Sequence, residues 1–267
     1  MSWAGIDIGS TGCKAVAFDD GGRELAQAYR EYPVLSPREG WAEIDSRRVA
    51  RNCLEVIREV AGAVRRDPVR GLGVSSQGEA FTPVGADGRI LGNAMLSFDT
   101  RSAAIAESWS LNFGRKKLYR TTGHTAHPMF SLFKLLWLRK NSPRVWARAR
   151  KFLCFEDLLH HELGLDPAMS WPMAGRTMLF DVLKHDWDDR ILKAAGISRD
   201  RLSRTVPSGT IVGEIPVARA KALGLGAGIP VVAGGHDQTC AALGVGITSP
   251  GRGMYATGTT ECICPAF

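Results

Sequence analysis

Residues 3–22 constrain this chain more than any other stretch. Residues 3–8 and 13–18 are apolar runs of strand length, and Gly9-Ser10-Thr11-Gly12 between them supplies a tight, hydroxyl-bearing turn. The pattern predicts a β-hairpin. Asp19-Asp20-Gly21-Gly22 reads as a second turn, which returns residues 23–32 as a third antiparallel strand. Asp7 ends a buried strand, where a carboxylate is costly unless it meets a cation. Free backbone N–H groups, Ser10, Thr11 and Lys14 lie immediately beyond it. Asp7 is therefore a candidate metal ligand, and Gly9, Ser10, Thr11 and Lys14 are candidates for holding a phosphate. An Asp that only caps its own turn is the competing reading.

Two later stretches bear on that choice. An apolar strand from Pro230 runs into Gly234-Gly235, and a helix then opens with His236-Asp237-Gln238, where the amide dipoles favour an anion. Asp237 is thus displayed at a strand-to-helix crossing, although a plain N-cap also explains an Asp there. Residues 253–264 repeat the first design, with Thr257-Gly258-Thr259-Thr260 as the turn between two strands. Two Gly/Thr hairpins with one exposed Asp between them suggest two jaws gripping a phosphate chain.

The intervening sequence reads as an α/β unit. Glu43-Ile44-Asp45-Ser46 opens a helix running to about Arg65, whose buried face is Val49, Cys53, Val56, Ile57, Val60 and Val64. Pro68 stops it, and residues 69–75 form a buried strand ending in Ser76-Gln77-Gly78-Glu79. Ligands of α/β sheets bind in the crevice at strand ends, so Gln77, Gly78 and Glu79 are candidates to hold a hydroxylated substrate; turn structure competes. Residues 80–84 and 94–97 read as two strands around the turn at Ala86-Asp87-Gly88. They lead to Asp99 and Arg101, which either pair with each other or reach into the same crevice. Helices are expected at 102–113, 131–139 and 156–163, with His124 and His127 as loop residues. The pattern weakens over 166–187, where 170–176 looks loop-like and 177–180 a short strand.

Composition narrows the function classes. The 267 residues carry a net charge of +7, but the arginines are scattered and lack interleaved aromatics, which argues against nucleic-acid binding. The six cysteines include no C-x-x-C pair, so neither a zinc site nor a disulfide framework is indicated. There is no signal-like start and no apolar run of membrane-spanning length, so a cytoplasmic protein without a membrane partner is expected.

Seven motifs, taken in order, resemble the FGGY carbohydrate kinases, especially their xylulokinase-like members, within the actin/hexokinase/Hsp70 superfamily. They are Gly5-Ile6-Asp7-Ile8-Gly9-Ser10-Thr11, Gly40-Trp41-Ala42-Glu43, Ser76-Gln77-Gly78-Glu79, Phe98-Asp99-Thr100-Arg101, Arg176-Thr177-Met178-Leu179-Phe180-Asp181, Gly235-His236-Asp237-Gln238 and Thr257-Gly258-Thr259-Thr260. The resemblance implies an α/β fold of the actin-like ATPase (ribonuclease H-like) type, a mixed sheet with flanking helices. It implies ATP- and Mg²⁺-dependent phosphorylation of a sugar or polyol hydroxyl. Asp237 matches the catalytic base, and Asp7, with Asp237, the carboxylates toward the metal. Gly9, Ser10, Thr11, Lys14, Gly258 and Thr259 match the phosphate contacts. Gln77, Gly78, Glu79, Asp99, Asp237 and Gln238 fall where the family holds its sugar. Gly78-Glu79 replaces the Met-His common in xylulokinases, and Ser97-Phe98-Asp99 their Trp-Asn-Asp, so the pocket is expected to suit another ketose or polyol. Residues 1–267 correspond to the first actin-like domain, which implies a partner C-terminal actin-like domain elsewhere and little kinase activity from this stretch alone. An exposed apolar interface would let it self-associate as a homodimer. A nucleotide-dependent switch or scaffold of the same superfamily is the alternative class.

Overall fold

The computed structural model describes residues 1–257 and 261–267. β1 (Ser2–Ile8) buries every second residue, Ser2, Ala4, Ile6 and Ile8, as a strand with one covered face must. It pairs antiparallel with β2 (Gly12–Asp19), from Ile8 opposite Cys13 to Ser2 opposite Asp19, and β3 (Glu24–Glu31) continues the meander. α1 (Ser46–Ala63) packs on β2 and β3 through Val49, Cys53, Val56, Ile57 and Val60. Asp45 caps it by accepting the N–H groups of Arg47 and Arg48 at 2.9 and 3.3 Å.

β4 (Val69–Ser76) lies parallel to β1, and the sheet is completed by β5 (Ile211–Glu214) and β6 (Pro230–His236) in the order β5-β6-β4-β1-β2-β3. β1, β4 and β6 are mutually parallel, so their carboxyl ends emerge at one edge. Those ends carry Asp7, then Ser75-Ser76-Gln77, then His236-Asp237. Three motifs separated by up to 230 residues are gathered by strand direction alone. At Gly234 the chain comes so close to β4 that a Cβ would sit 2.2 Å from the Val74 carbonyl oxygen. The register of β6 on β4 shifts at the same point, between Ala233 and Gly235.

A second apolar cluster covers the far side of this edge. α2 (Ser131–Asn141) contributes Leu132, Phe133, Leu135 and Leu138, which pack with Phe152, Met173, Leu179, Trp187 and Ile191. α3 (Phe155–Glu162) follows the strand Ala149–Cys154 and instead packs toward the first cluster.

Several local expectations are corrected here. Residues 80–84 and 94–97 do not pair with each other; Phe81–Gly85 pairs with Ala149–Cys154, and Ala94–Met95 with Glu43–Ile44. Phe81–Gly85 is buried along its whole length, so it needs an apolar partner strand, and only a single Val84–Ile90 bridge spans the turn. Residues 170–176 are not a loop but contain α4 (Trp171–Gly175), with Pro172 in the first turn, where its missing N–H is harmless. The strand expected at 177–180 contracts to Phe180–Asp181, because Thr177 closes a turn on Ala174 and Met178 adopts φ 58°. Helices at Arg115–Thr122 and Pro143–Arg148 were not foreseen. No helix among the described residues is long and apolar enough to cross a membrane.

Candidate functional site

Asp7 reaches the edge on β1 between its register partners, Lys14 of β2 and Ser75 of β4. The Ser75 hydroxyl donates to Asp7 Oδ1 at 2.9 Å. Crowding by surrounding atoms raises the Asp7 pKa although one side of the residue faces solvent; Asp237 adds repulsion, while Ser75 and Lys14 oppose the rise. The two carboxylates therefore sense each other across the edge.

The turn after β1 is braced on its inner side. Gly9 N–H donates to the Gly12 carbonyl at 2.9 Å, and the Gly9 carbonyl accepts from Tyr32 Oη at 2.7 Å and Gln77 Nε2 at 2.9 Å. Gln77 N–H also donates to the Ile8 carbonyl at 2.8 Å, so this residue ties the turn to the end of β4. Ser10 is half-buried, whereas Thr11 and Lys14 are exposed, which leaves their polar groups available to a ligand. Gly258 and Thr259 lie outside the described residues. The strands that flank them, Gly253–Ala256 and Cys262–Pro265, pair antiparallel.

Asp237 is the first residue of α5 (Asp237–Gly244), and His236 holds the N-cap position. The cap explanation for Asp237 therefore fails. Its Oδ1 accepts the Gln238 N–H at 2.7 Å and lies 3.3 Å from His236 Nε2. Burial raises the Asp237 pKa, against the pull of the Gln238 N–H and Arg176. Gln238 Oε1, beside it, is buried with no donor among the described residues.

Glu79 joins this group through Arg176, the residue that follows α4. Arg176 Nε donates to Glu79 Oε1, the NH2 nitrogen completes the ion pair, and the guanidinium lies 5.1 Å from the Phe130 ring centroid. Glu79 Oε2 has no protein donor among the described residues. Glu79 is only 3% exposed and holds φ 63°, a conformation that costs a non-glycine residue about 1–3 kcal/mol and is kept where the surroundings enforce it. Gly78 makes the arrangement possible, because a Cβ there would meet His236 Cδ2 at 2.9 Å and Arg176 Cγ at 3.1 Å. Desolvation, with Arg176 nearby, pushes His236 and His124 down to about 4, so both imidazoles are neutral near pH 7. Behind them the fully buried Lys134 donates to the Glu79 and Met95 carbonyls at 3.4 and 3.2 Å.

Asp99 is not brought into this group. Both of its oxygens are engaged by Arg101, Oδ2 also accepts the Ala42 N–H at 2.7 Å, and Arg101 reaches on to Glu43 Oε1 at 2.7 Å. The Arg101 guanidinium lies 3.6 Å from the Trp41 ring centroid. Of the two readings of this pair, mutual pairing is the one observed, and it is buried rather than superficial, with Asp99 1% exposed.

Residues 2–244 match the family model described as the FGGY family of carbohydrate kinases, N-terminal domain. The chain belongs to that family. It is 28% identical over 260 residues to the L-fuculokinase of Salmonella typhi, a match covering 97% of this chain and 55% of that one. It is 29% identical over 258 residues to the xylulose kinase of Escherichia coli K12, covering 97% and 53%. The solved structure of the xylulose kinase from Rhodospirillum rubrum superposes with a TM-score of 0.93 at 22% identity, over 98% of this chain and 54% of that one. The chain thus spans about half the length of the curated relatives it matches. The FGGY fold carries the actin-like mixed sheet expected from the motifs.

Within this FGGY domain, Arg176 and His236 stand inside motifs that by themselves assign them no role, and His124 reads from the sequence as a loop residue. Arg176 lies in the stretch where periodicity fails, so nothing in the sequence pairs it with Glu79 across 97 positions. The signal that was available is chemical: Glu79, at a buried strand end, needs a cation.

Proposed function

We propose that this chain forms the acceptor- and phosphate-binding side of a kinase that transfers the γ-phosphoryl group of ATP to a sugar or polyol hydroxyl. The observation that carries the reading is the convergence of two carboxylates, Asp7 and Asp237, on one sheet edge beside a braced Gly/Ser/Thr turn. Phosphoryl transfer needs in-line positioning, charge neutralisation and one base, and this edge offers each. Asp237 accepts the proton of the attacking hydroxyl; its raised pKa makes it a better base than an ordinary Asp. Glu79 and Gln238 hold the acceptor through oxygens that no protein donor reaches among the described residues, while Gln77 ties the turn after β1 to the end of β4. Gly9, Ser10, Thr11 and Lys14, together with Gly258 and Thr259, receive the phosphates.

The donor set suits Mg²⁺. Two hard carboxylates left without a cation, each raised by burial, match an ion that takes one or two protein oxygens and completes its shell with water and phosphate. Asp7 and Asp237 would hold it, and its chemistry there is neutralisation of phosphate charge. The adenosine side would come from a second actin-like domain of the kinase, as the relatives' greater length suggests.

The test is acceptor-dependent ADP release by the full-length protein with neutral pentuloses, hexuloses and polyols. Asp237→Asn is expected to lower turnover by about 10²–10⁴-fold while acceptor affinity holds. Turnover within about tenfold of wild type would remove Asp237 from the role of base.

A further inference from the structure

The acceptor end of the crevice is unusual in how its charges are arranged. Glu79 takes the Arg176 guanidinium through Nε and NH2, and that guanidinium also touches the Phe130 ring and the Met129 sulfur at 4.0 Å. Arg176 is thus the cation placed on this surface, and it is already neutralised. Lys134 is fully buried and points its ammonium at two main-chain carbonyls. Among the described residues no donor reaches Glu79 Oε2, Asp237 Oδ2 or the buried Gln238 Oε1, and all three are acceptors.

Resting on the kinase reading above, we infer that the Glu79–Arg176 pair is a charge filter that admits uncharged polyols and ketoses and excludes acceptors bearing a carboxylate. A hydroxyl can donate to each orphaned acceptor. A carboxylate can donate to none of them, and it meets Glu79, whose neighbouring guanidinium is already paired and offers it no free charge. Gly78 is part of the device, because a side chain there would press on His236 and on the stem of Arg176. The pair is 24% and 4% exposed on its Arg and Glu sides, so it is shielded enough for the missing counter-charge to matter.

Titration of the full chain with xylitol and D-xylulose, against D-xylonate and D-gluconate, followed by thermal shift and calorimetry, tests the filter. The neutral compounds are expected to stabilise the protein and to bind at least about tenfold more tightly than the aldonates. Aldonate binding equal to or tighter than neutral binding would overturn the filter and leave the acceptor reading standing. No binding by any neutral compound would overturn both. In the same titration Glu79→Gln, which releases Arg176 while keeping the shape, is expected to tighten aldonate binding about tenfold. Aldonate binding unchanged in that variant, with the fold intact by circular dichroism, would also refute the filter. The wild-type panel decides the matter on its own if the variant does not fold.

Discussion

Gly234 shows how one residue can set the geometry of a whole site. With the Val74 carbonyl 2.2 Å from where a Cβ would stand, no side chain fits without moving β6 away from β4. Gly234→Ala is therefore expected to destabilise the domain by about 1–3 kcal/mol, read as a lower urea midpoint with unchanged m-value. It should also weaken acceptor binding, because His236 and Asp237 follow two residues later; an alanine variant as stable as wild type would show that the strands can part freely. Asp7→Ala is expected to leave acceptor affinity intact and to blunt the response of turnover to Mg²⁺, measured across a metal titration of the full-length kinase. Loss of acceptor affinity with a normal Mg²⁺ response would reassign the first hairpin. Asp7 and Asp237 were legible as candidates from strand ends and Gly/Thr turns. Asp99 was legible only as an alternative, because sequence cannot show that Arg101 lies between two indoles and takes both of its oxygens.

At the scale of elements, α3 makes the stability of the domain depend on pH. Its Glu156 is fully buried, accepts from the N–H and hydroxyl of Ser170 at 2.8 and 2.9 Å, and is pushed up by burial to about 7. The folded state holds that proton more tightly than the unfolded chain, so the stability due to Glu156 is complete below its ordinary value of 4.5 and is lost as pH rises through about 7. His160 on the same helix is pushed down to about 4 and acts in the opposite sense, adding stability as pH rises from there to 6.5. Comparing Glu156→Gln with wild type isolates the first effect. The relative stability of the variant should grow between about pH 5 and pH 8 in chemical denaturation, and a flat difference would place the Glu156 proton elsewhere. Long amphipathic elements such as α1 were readable because eighteen residues display their period and an Asp marks the cap. α4 and Arg115–Thr122 were not, since five to eight residues of mixed polarity contain too few turns for a period to stand out.

Across the whole molecule, apolar side chains gather at one end. Leu243 and Val245 at the close of α5, with Tyr255 and Ile263 on the last two strands, are 66%, 66%, 58% and 72% exposed. A surface of this kind is expected to drive concentration-dependent association, visible by sedimentation velocity, and Leu243→Lys with Val245→Lys should reduce it. A monomer at every concentration tested would count against that surface as a contact. The strand order carries a different lesson. Asp7 lies on β1 and Asp237 directly follows β6, with β4 between the two strands, so the strands that lead to them are roughly 10 Å apart, two inter-strand spacings. Hydrogen-bond length sets that gauge, so a side-chain change alters it only where, as at Gly234, it forces the strands apart. The neighbouring loops at 77–79 and 176 are under no such rule. The side chains that would face a ligand can therefore change while the interval between the strands that lead to the two carboxylates stays where the backbone sets it.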